Sequence, residues 1–480
     1  MRIALINTNT IKPPIAPIGM DYLAESLAGC GIGVDILDLC LAEDPGRELE
    51  SFLKGLRDPV LIGISIRNTD DCFFGGRGFF LPEVRGIIAK IKDETRVPIV
   101  LGGVGFSVMP DEIMEFCGAD FGIWGEGEWA LPRLAEALAG DGDPASVPGL
   151  IWRSDSGLLH NPPSFGDLSK LPPMSRSWID NPRYFREGGQ GGFESKRGCD
   201  RRCIYCADPV AKGRRIRVRP PKAVADEVRS LLEQGVDYLH TCDSEFNIPE
   251  GHARAVCEEL IREGLGERVR WYAYCSPSPF SEELARLMRR AGCVGINFGV
   301  DSGDDGMLRR LGRDFSGKDL MEVARICREN GISSMFDLLL GGPGETIESV
   351  RKTLSLVRDA NPDCIGVSIG VRVYPGTPLF HWIQGMIRDG SGNGIRRPVD
   401  YEGIPDFLAP TFYLSPALGD EIFGLVREEV EGDPRFFFSD PSDPDRNYNY
   451  VSNDPISEAI KEGYRGAYWD ILRRKRAGAG

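Results

Sequence analysis

Three cysteines in one short segment are the residues best suited to chemistry. Cys199, Cys203 and Cys206 have the spacing C-x3-C-x2-C, with no fourth cysteine and no histidine close by. A structural zinc site needs four ligands, usually from two paired knuckles. Three thiolates on one loop can instead hold three irons of a [4Fe–4S] cluster and leave the fourth iron open to another ligand. We therefore predict that these three cysteines bind a [4Fe–4S] cluster.

The other cysteines and the histidines argue against further kinds of metal site. The chain has 13 cysteines, an odd number, and apart from this triplet they are scattered, which speaks against a disulfide framework. It has only 4 histidines. This scarcity excludes His-rich zinc centres and argues against an iron site made of two histidines and a carboxylate.

Length and composition indicate how many domains surround the three cysteines and what class of protein this is. A chain of 480 residues suits two or three domains, and 41% hydrophobic with 27% charged residues is typical of a globular protein. A net charge of −15 argues against a nucleic-acid partner, although Lys212–Arg219 is a basic run that suits a solvated rim or an anion site. No stretch is apolar enough for a membrane span and no signal peptide is visible, so the predicted location is the cytoplasm.

The first 140 residues alternate apolar strands with helical patterns, which predicts a parallel α/β sheet of Rossmann type. The predicted strands are residues 2–7, 33–39, 60–66, 98–101 and 120–124, and predicted helices begin at residues 22, 82 and 128. Residues 141–192 are rich in proline, serine and glycine and are interpreted as a linker. Ligands of such sheets bind at the carboxyl ends of the strands.

A second alternation over residues 193–384 predicts a full or partial (β/α) barrel that carries the cysteines. Its predicted strands are 238–242, 270–274, 295–300, 333–340 and 364–373, separated by helices. Residues 385–480 contain aromatic loops and one predicted helix over 455–474. We interpret this tail as a mainly helical and loop cap over the barrel mouth, with Asn447, Tyr448, Asn449 and Tyr450 as candidate pocket residues.

The cysteine spacing, with an aromatic residue before the last cysteine, resembles the radical S-adenosylmethionine (SAM) superfamily. Other segments resemble its motifs in the expected order over about 190 residues: Asp243–Asn247, Gly299–Gly303 with Asp in place of the usual Glu, Leu340–Thr346 and Tyr374–Pro378. The resemblance implies that the open iron chelates SAM. It also implies a set of SAM-contacting residues, Tyr205, Asp243, Glu245, Asp301, Ser302, Gly342, Pro343 and Glu345, with Tyr374 as a catalytic candidate.

The first domain lacks the G-x-G-x-x-G fingerprint of a dinucleotide site and the acidic pair of a receiver domain. It resembles instead the cobalamin-binding domain that precedes many radical SAM enzymes. There, glycines let the corrin and its nucleotide tail approach the backbone. The resemblance implies these cobalamin contacts: Ser65, Asn68, Gly102, Gly103, Gly105, Ser107, Gly125, Glu126 and Gly127.

Arg67 is the candidate for the lower face of the cobalamin. The first 159 residues contain no histidine, so this domain offers cobalt no imidazole. A guanidinium is always protonated and cannot donate a lone pair, which would leave cobalt without a lower ligand. A similar arginine is expected in enzymes that resemble the tryptophan C2-methyltransferases of this family. The alternative interpretation of Arg67 is a salt-bridged loop residue.

These features predict a cobalamin-dependent radical SAM methyltransferase that acts on a carbon of a small-molecule or peptide substrate. Its methyl group would come from SAM through methylcobalamin, and a flavodoxin- or ferredoxin-like donor would supply electrons. Arg67 also admits methyl transfer without radical cleavage of SAM. The alternatives are a rearrangement, cyclisation or oxidation with the same cofactors, and a non-catalytic cobalamin sensor.

Overall fold

Two seven-stranded sheets form the framework of the protein. The computed structural model describes residues 1–76, 78–163, 165–438, 440 and 451–478. The candidate pocket residues Asn447, Tyr448, Asn449 and Tyr450 lie outside the described residues. No helix within the described ranges is both long and apolar enough to cross a membrane.

The first sheet has the strand order β2-β1-β3-β4-β5-β6-β7. Its strands are β1 (Arg2–Asn7), β2 (Gly33–Asp38), β3 (Leu61–Ser65), β4 (Ile99–Gly102), β5 (Phe121–Ile123), β6 (Leu150–Ser154) and β7 (Gly157–His160). β1 to β5 are parallel, and helices cover both faces, as continuous apolar strands require. The helices are α1 (Ile18–Gly29), α2 (Pro45–Gly55), α3 (Leu81–Glu94), α4 (Val104–Ser107), α5 (Pro110–Cys117) and α6 (Gly127–Glu136).

Part of the segment interpreted as a linker belongs to this sheet. β6 pairs antiparallel with β5, and β7 pairs antiparallel with β6. Gly157, at φ 113°, permits the tight turn between them. The two strands are too short for a clear alternating pattern, and the prolines interrupt only the chain beyond them. Helix α7 (Asn181–Gly188) then leads into the second sheet.

The second sheet is a parallel, open barrel with the order β19-β15-β14-β13-β12-β11-β8. Its strands are β8 (Gly191–Phe193), β11 (Tyr238–Thr241), β12 (Arg270–Cys275), β13 (Cys293–Asp301), β14 (Ser333–Leu340), β15 (Cys364–Ile369) and β19 (Phe436–Phe438). Short strands flank it: β9 (Lys196–Arg197), β10 (Arg217–Val218), β16 (Val371–Arg372), β17 (Ile395–Arg396) and β18 (Phe412–Tyr413).

Helices pack on the outer face of this barrel and bury its large apolar core. They are α9 (Pro221–Glu233), α10 (Glu250–Arg262), α11 (Glu282–Arg290), α12 (Asp305–Arg310), α13 (Gly317–Glu329), α14 (Ile347–Ala360) and α16 (Ile422–Val430). Two further helices pack elsewhere: α8 (Asp208–Lys212) on the core of the first domain and α15 (Pro378–Arg388) in a separate small cluster. On β12, Trp271 and Ala273 face these helices, so the alternate residues Tyr272 and Tyr274 face the barrel interior.

The tail differs from the predicted cap in two ways. The single helix predicted over 455–474 is instead two helices, α17 (Asp454–Lys461) and α18 (Tyr468–Arg476). They are separate because Gly463 and Gly466, which lie between them, adopt φ values of 103° and 118°. These helices pack on residues such as Met335, near the amino ends of the barrel strands and so at the end opposite the mouth. Among the described residues of the tail, it is the earlier part, with Phe407 and Tyr413, that packs near the cysteine loop, against Ile204 and Tyr205.

A buried charged cluster joins the two domains. Glu227 on α9 accepts hydrogen bonds from Tyr22 Oη at 2.7 Å, from Arg176 Nη1 at 2.6 Å and from Arg219. Arg176 Nε also pairs with Asp21 on α1 at 2.7 Å, and each ion-paired side chain is at most 2% exposed. Because every charge has an opposite partner, the cluster holds the first domain in a fixed position against the barrel.

Candidate functional site

The cysteine loop lies between β9 and α8, at the carboxyl end of the barrel. Cys199 is buried, and Cys203 and Cys206 are half-buried. Backbone hydrogen bonds fix the loop, from Cys199 N–H to the Gly213 carbonyl at 3.1 Å and from Ile204 N–H to the Leu311 carbonyl at 3.0 Å. Burial raises the pKa of the Cys199 thiol to about 11. Metal binding would therefore have to displace protons from thiols that are neutral in the cofactor-free protein.

The chemistry of this donor set fits an iron–sulfur cluster. Within the described chain, no three Cys, His, Asp or Glu side chains already stand together as a metal-binding group. The sulfur of Cys203 instead accepts a hydrogen bond from Arg313 Nη1 at 2.9 Å. Three thiols on one irregular loop, with no fourth cysteine, would be drawn together by a cluster and would leave one iron without a protein sulfur.

Polar side chains from two barrel strands converge on this loop through Arg313. Its Nε lies 3.3 Å from Asp301 Oδ2 and its Nη2 lies 3.8 Å from Glu245 Oε1. Tyr205 Oη donates to Asp301 Oδ2 at 2.6 Å. The structure thus brings Tyr205, Glu245 and Asp301 together, as the motifs imply, and leaves Glu245 Oε2 without a partner. Sequence reasoning missed Arg313, although it follows the Gly299–Gly303 motif closely.

Two other predicted SAM contacts, Asp243 and Ser302, stabilise turns. Asp243 accepts hydrogen bonds from Ser195 N–H at 2.9 Å, from Ser195 Oγ at 2.6 Å and from Lys196 N–H at 3.1 Å. Ser302 is fully buried, and its hydroxyl pairs with Thr353. These two side chains shape the loops, and their contact with SAM stays a prediction.

The Leu340–Thr346 turn is held by Glu345. One carboxylate oxygen accepts from Gly341 N–H and, at 3.1 Å, from Gly342 N–H, while Oε1 has no partner. Burial raises the pKa of Glu345 to about 7. A Cβ on Gly342 would come within 2.9 Å of the Leu311 side chain, so this glycine lets that side chain pack closely. Pro343 is half-buried beside it. Direct contact of these residues with SAM stays a prediction.

The barrel interior below the cysteine loop is lined by polar and aromatic groups. His240 Nδ1 lies 2.8 Å from the Thr241 carbonyl oxygen, so Nδ1 carries the proton and Nε2 keeps its lone pair. The imidazole stands 4.8 Å from the ring of Tyr274, which is 44% exposed. Asn297 and Asp337 each present an oxygen without a partner, and burial raises the pKa of Asp337 to about 7. Sequence reasoning had not selected these four residues; strand alternation was the available signal.

In the first domain, a small open cavity lies where the strand order reverses between β1 and β3. Arg67 and Asn68 line it, with Thr8 and Asn9 from the neighbouring strand end. The Ser65 carbonyl accepts a hydrogen bond from Thr8 Oγ1 at 3.0 Å. Reversal points of parallel sheets are where such folds bind ligands. Arg67 and Asn68 therefore lie at the edge of the sheet where ligands of such folds bind, and their contact with cobalamin stays a prediction.

The glycines of this domain serve two purposes. A Cβ on Gly102 would meet nothing within 4 Å, so this glycine leaves open space for a ligand. Gly103 and Gly105 differ, because a Cβ would come within 2.5 Å of the Ile66 carbonyl and 2.9 Å of the Arg67 backbone. Their lack of a side chain lets α4 approach the segment after β3. Cobalamin contact by Gly103 and Gly105 stays a prediction.

The predicted cobalamin contacts around residue 126 also take part in ion pairs with the barrel. Glu126 is buried and pairs with Arg217, and one oxygen accepts from Gly166 N–H at 2.8 Å. Arg197, two residues before Cys199, pairs with Glu128 at 2.7 Å and with Glu194 at 2.5 Å, and lies 3.5 Å from Glu126. Glu126 is therefore a counter-charge for the barrel's arginines, and its contact with cobalamin stays a prediction.

The neighbours of Glu126 shape the same turn. Ser107 is buried, and its hydroxyl oxygen accepts a hydrogen bond from Gly125 N–H at 3.1 Å. Gly125 adopts φ 105°, which favours glycine. A Cβ on Gly127 would contact Leu23 at 3.3 Å. Cobalamin contact by these three residues stays a prediction.

Tyr374 lies between the two domains. Its hydroxyl is 2.8 Å from the Cys72 sulfur, and the Arg372 guanidinium lies 4.6 Å from its ring. Arg372 also binds Asp70 of the first domain at 2.9 Å. Burial raises the pKa of Tyr374, so the phenol is neutral. The structure gives it a role in joining the domains, and catalysis by Tyr374 stays a prediction.

Two family models match this architecture. The model of the radical SAM superfamily matches residues 193–357, and the model of the B12 binding domain matches residues 4–135. Together with the cysteine loop and the cavity of the first domain, these matches define the class: a B12-binding domain joined to a radical SAM domain.

Full-length comparisons narrow this class. The radical SAM methyltransferase TsrM of Kitasatospora setae, solved with tryptophan substrate and the SAM analogue aza-SAM, is 31% identical, with a TM-score of 0.91 over 100% of both chains. The tryptophan 2-C-methyltransferase of Streptomyces laurentii is 28% identical over 99% of this chain and 96% of that protein. The chain belongs to the family of cobalamin-dependent radical SAM methyltransferases. OxsB, at 18% identity and a TM-score of 0.73 over 90% of this chain and 67% of its own, shares the fold.

Family membership confirms the predicted fold class, carbon methylation and cofactors. A second TsrM structure, 30% identical with a TM-score of 0.87 over 100% of this chain and 99% of that chain, contains cobalamin and a [4Fe–4S] cluster. The protein is thus an enzyme that uses a [4Fe–4S] cluster, SAM and cobalamin.

Proposed function

We propose that the protein methylates carbon 2 of the indole ring of tryptophan, or of a close indole derivative, with SAM as the methyl source. The observation that carries the proposal is the full-length similarity to an enzyme solved with tryptophan. The name of the Streptomyces laurentii relative supports the same substrate and the same carbon.

The barrel interior has groups that suit this substrate. The rings of His240 and Tyr274 offer flat surfaces against which an indole can stack. The unpartnered oxygens of Asn297 and Asp337 can accept hydrogen bonds from an amino group. A flat aromatic ring with an amine attached therefore matches the chamber better than a lipid or a nucleic acid does.

Proton removal is the step for which this chain must supply a group. When bound, cobalamin supplies the methyl group that it takes from SAM. Forming the new carbon–methyl bond on an indole carbon releases one proton, which a base must accept. His240 is neutral, because burial lowers its pKa, and its Nε2 carries the free lone pair. We assign the proton to His240 Nε2.

The cofactors would be held by the two ends of the site. Cys199, Cys203 and Cys206 would bind the cluster, with Tyr205, Glu245 and Asp301 close to the open iron. Arg67 and Asn68 would face the cobalamin from the cavity between β1 and β3. A reducing donor of flavodoxin or ferredoxin type would supply the electron that activates the enzyme.

The test is an anaerobic incubation of the iron- and cobalamin-loaded protein with tryptophan, S-adenosyl[methyl-d3]methionine and titanium(III) citrate. We expect a tryptophan product that carries one CD3 group, seen by mass spectrometry, with NMR placing it on carbon 2. The matched control is the Cys203→Ala variant, which lacks a cluster ligand and should give no product.

Two outcomes would contradict the proposal. A modified product without deuterium would indicate rearrangement or oxidation rather than methylation. Absence of any labelled indole, while another added substrate class acquires the CD3 group, would refute the substrate assignment but leave methyl transfer intact.

A further inference from the structure

Five arginines surround the outer side of the cysteine loop, and we call them the arginine rim: Arg202, Arg214, Arg215, Arg309 and Arg310. All five are exposed, and none forms an ion pair with a carboxylate of the described residues. Two of them make uncharged contacts. Arg214 Nη1 lies 3.4 Å from the Arg201 carbonyl, and Arg310 Nη1 lies 3.2 Å from the Gly344 carbonyl.

The rim is one surface although it comes from three separate segments. A Cβ on Gly198 would lie 2.2 Å from the Arg215 carbonyl, which brings the basic run against the start of the cysteine loop. A Cβ on Gly312 would lie 2.2 Å from the Arg202 carbonyl, which brings the end of α12 against the middle of that loop. Glycine at both positions permits this close approach, so the five arginines gather around the cluster ligands.

The charge of this surface contrasts with that of the whole chain. The chain carries a net charge of −15, and many surface arginines pair with a carboxylate, as Arg325 does with Glu322 at 2.7 Å. The acidic residues near the rim have other partners, as Asp305 of α12 does by accepting from Gly317 N–H at 2.8 Å. Asp200 and Asp314 both pair with Arg201, at 2.8 and 2.5 Å, and Asp167 lies close enough to Arg215 to be influenced by it. The rim therefore keeps an excess of positive charge that attracts an anionic partner.

We propose that the arginine rim is the docking surface for a small acidic electron-transfer protein. This inference rests on the proposed function, because only an enzyme with a cluster in this loop needs an electron there. One electron would leave the reduced carrier of the partner, which is oxidised by one unit, and would enter the cluster, which is reduced by one unit. No atom or proton moves. The rim surrounds the cysteines, so docking there gives the electron a short path.

Charge complementarity favours this partner over a nucleic acid. A nucleic acid would extend beyond five arginines onto a surface that is negative overall, and the repulsion would oppose binding. A small acidic protein can match the rim alone. Such pairing accelerates association and is weakened by salt.

The experiment compares two triple variants with the parent enzyme, with a purified bacterial flavodoxin in its hydroquinone form as the probe. Arg214→Glu, Arg215→Glu and Arg309→Glu together reverse the rim. The matched control reverses three exposed loop arginines that also have no ion pair in the described chain, Arg57, Arg96 and Arg268. They precede β3, β4 and β12, at the opposite ends of the two sheets. Both variants change the net charge equally.

We expect the rim variant to need about tenfold more flavodoxin for its half-maximal methylation rate at low ionic strength. Its rate with titanium(III) citrate and its iron content should equal those of the parent. The control should match the parent with both reductants, and the difference should vanish at about 0.5 M salt.

The inference is overturned if the rim variant and the parent need the same flavodoxin concentration for the half-maximal methylation rate. It is also overturned if the control variant needs as much additional flavodoxin as the rim variant does. Tighter binding of an RNA oligonucleotide than of flavodoxin at the rim would also contradict it. Should charge reversal lower the iron content, the corresponding triple alanine variant repeats the comparison. If the parent makes no methylated product with titanium(III) citrate, the proposed function fails, and calorimetric binding of flavodoxin to the iron-loaded variants still tests the rim.

Discussion

Removing the carboxylate at the centre of the buried charged cluster should loosen the junction of the two domains. Glu227→Gln keeps the size of the side chain but removes its charge. Arg176 would then keep Asp21 as its carboxylate partner, whereas Arg219 would lose its ion pair and keep only the influence of Glu194. Tyr22 would lose an ionised acceptor. All of these groups are buried, so water cannot replace the lost interactions.

The expected cost follows from this geometry. Breaking a buried ion pair by removing one partner typically costs about 3–5 kcal/mol, because the remaining charge is left uncompensated. Glu227 accepts from three donors, two of them cationic, which places the variant within this range. An exposed pair costs far less, about 0.5 kcal/mol. Glu322→Gln on α13, whose partner Arg325 is 39% exposed, is therefore the matched control.

Urea unfolding followed by circular dichroism measures both variants beside the parent. The free energy of unfolding should fall by about 3–5 kcal/mol for Glu227→Gln and by less than about 1 kcal/mol for Glu322→Gln. A loss below about 1 kcal/mol for Glu227→Gln would refute the reasoning. It would mean that the buried cluster does not depend on this charge.

Four further changes test the site. Cys203→Ala should abolish the iron–sulfur absorbance after reconstitution, whereas Cys30→Ala should keep it. Arg67→His should place an imidazole beneath the cobalt and add nitrogen splitting to the EPR signal of bound cob(II)alamin; an unchanged signal would put Arg67 elsewhere. His240→Ala should lower kcat for methylation about 10²-fold or more while SAM binding persists; an unchanged kcat would remove His240 as the base. Burial holds the pKa of Asp337 at about 7, above its value near 4 in the unfolded chain, so stability falls as pH rises between these values. Asp337→Asn should thus be more stable than the parent at pH 8 and equal to it near pH 4 in urea unfolding of the cofactor-free protein.

The spacing of apolar residues along the chain predicted most of the strands and helices, because each type of element has its own periodicity. β14 occupies its predicted residues, 333–340, and the predicted strand over 2–7 is β1. The two tail helices were merged in the prediction because the intervening glycines interrupt the apolar pattern only briefly. The cysteine triplet was recognisable because all three ligands lie in one segment.

Long-range pairing is what the sequence could not reveal. Arg313 lies 110 residues from Cys203, and the chain between them gives no sign that they touch. Glu126 resembled a ligand residue in its glycine-rich segment, yet its partner, Arg217, comes from the other domain. The side chains of Asp337 and His240 lie in the barrel interior because the opposite face of each strand is covered by the outer helices. The sequence does not show which face those helices cover.

The ion pairs of Arg197 limit how this enzyme could be divided or recombined. Glu126 and Glu128 belong to the first domain, yet they neutralise arginines that flank the cysteine loop. A truncated barrel would expose those cations and lose the partners that orient the loop. The two halves are therefore not interchangeable modules: a barrel grafted onto another B12-binding domain would need acidic residues in the same two places. Cofactor domains in this architecture should be inherited and engineered as a pair.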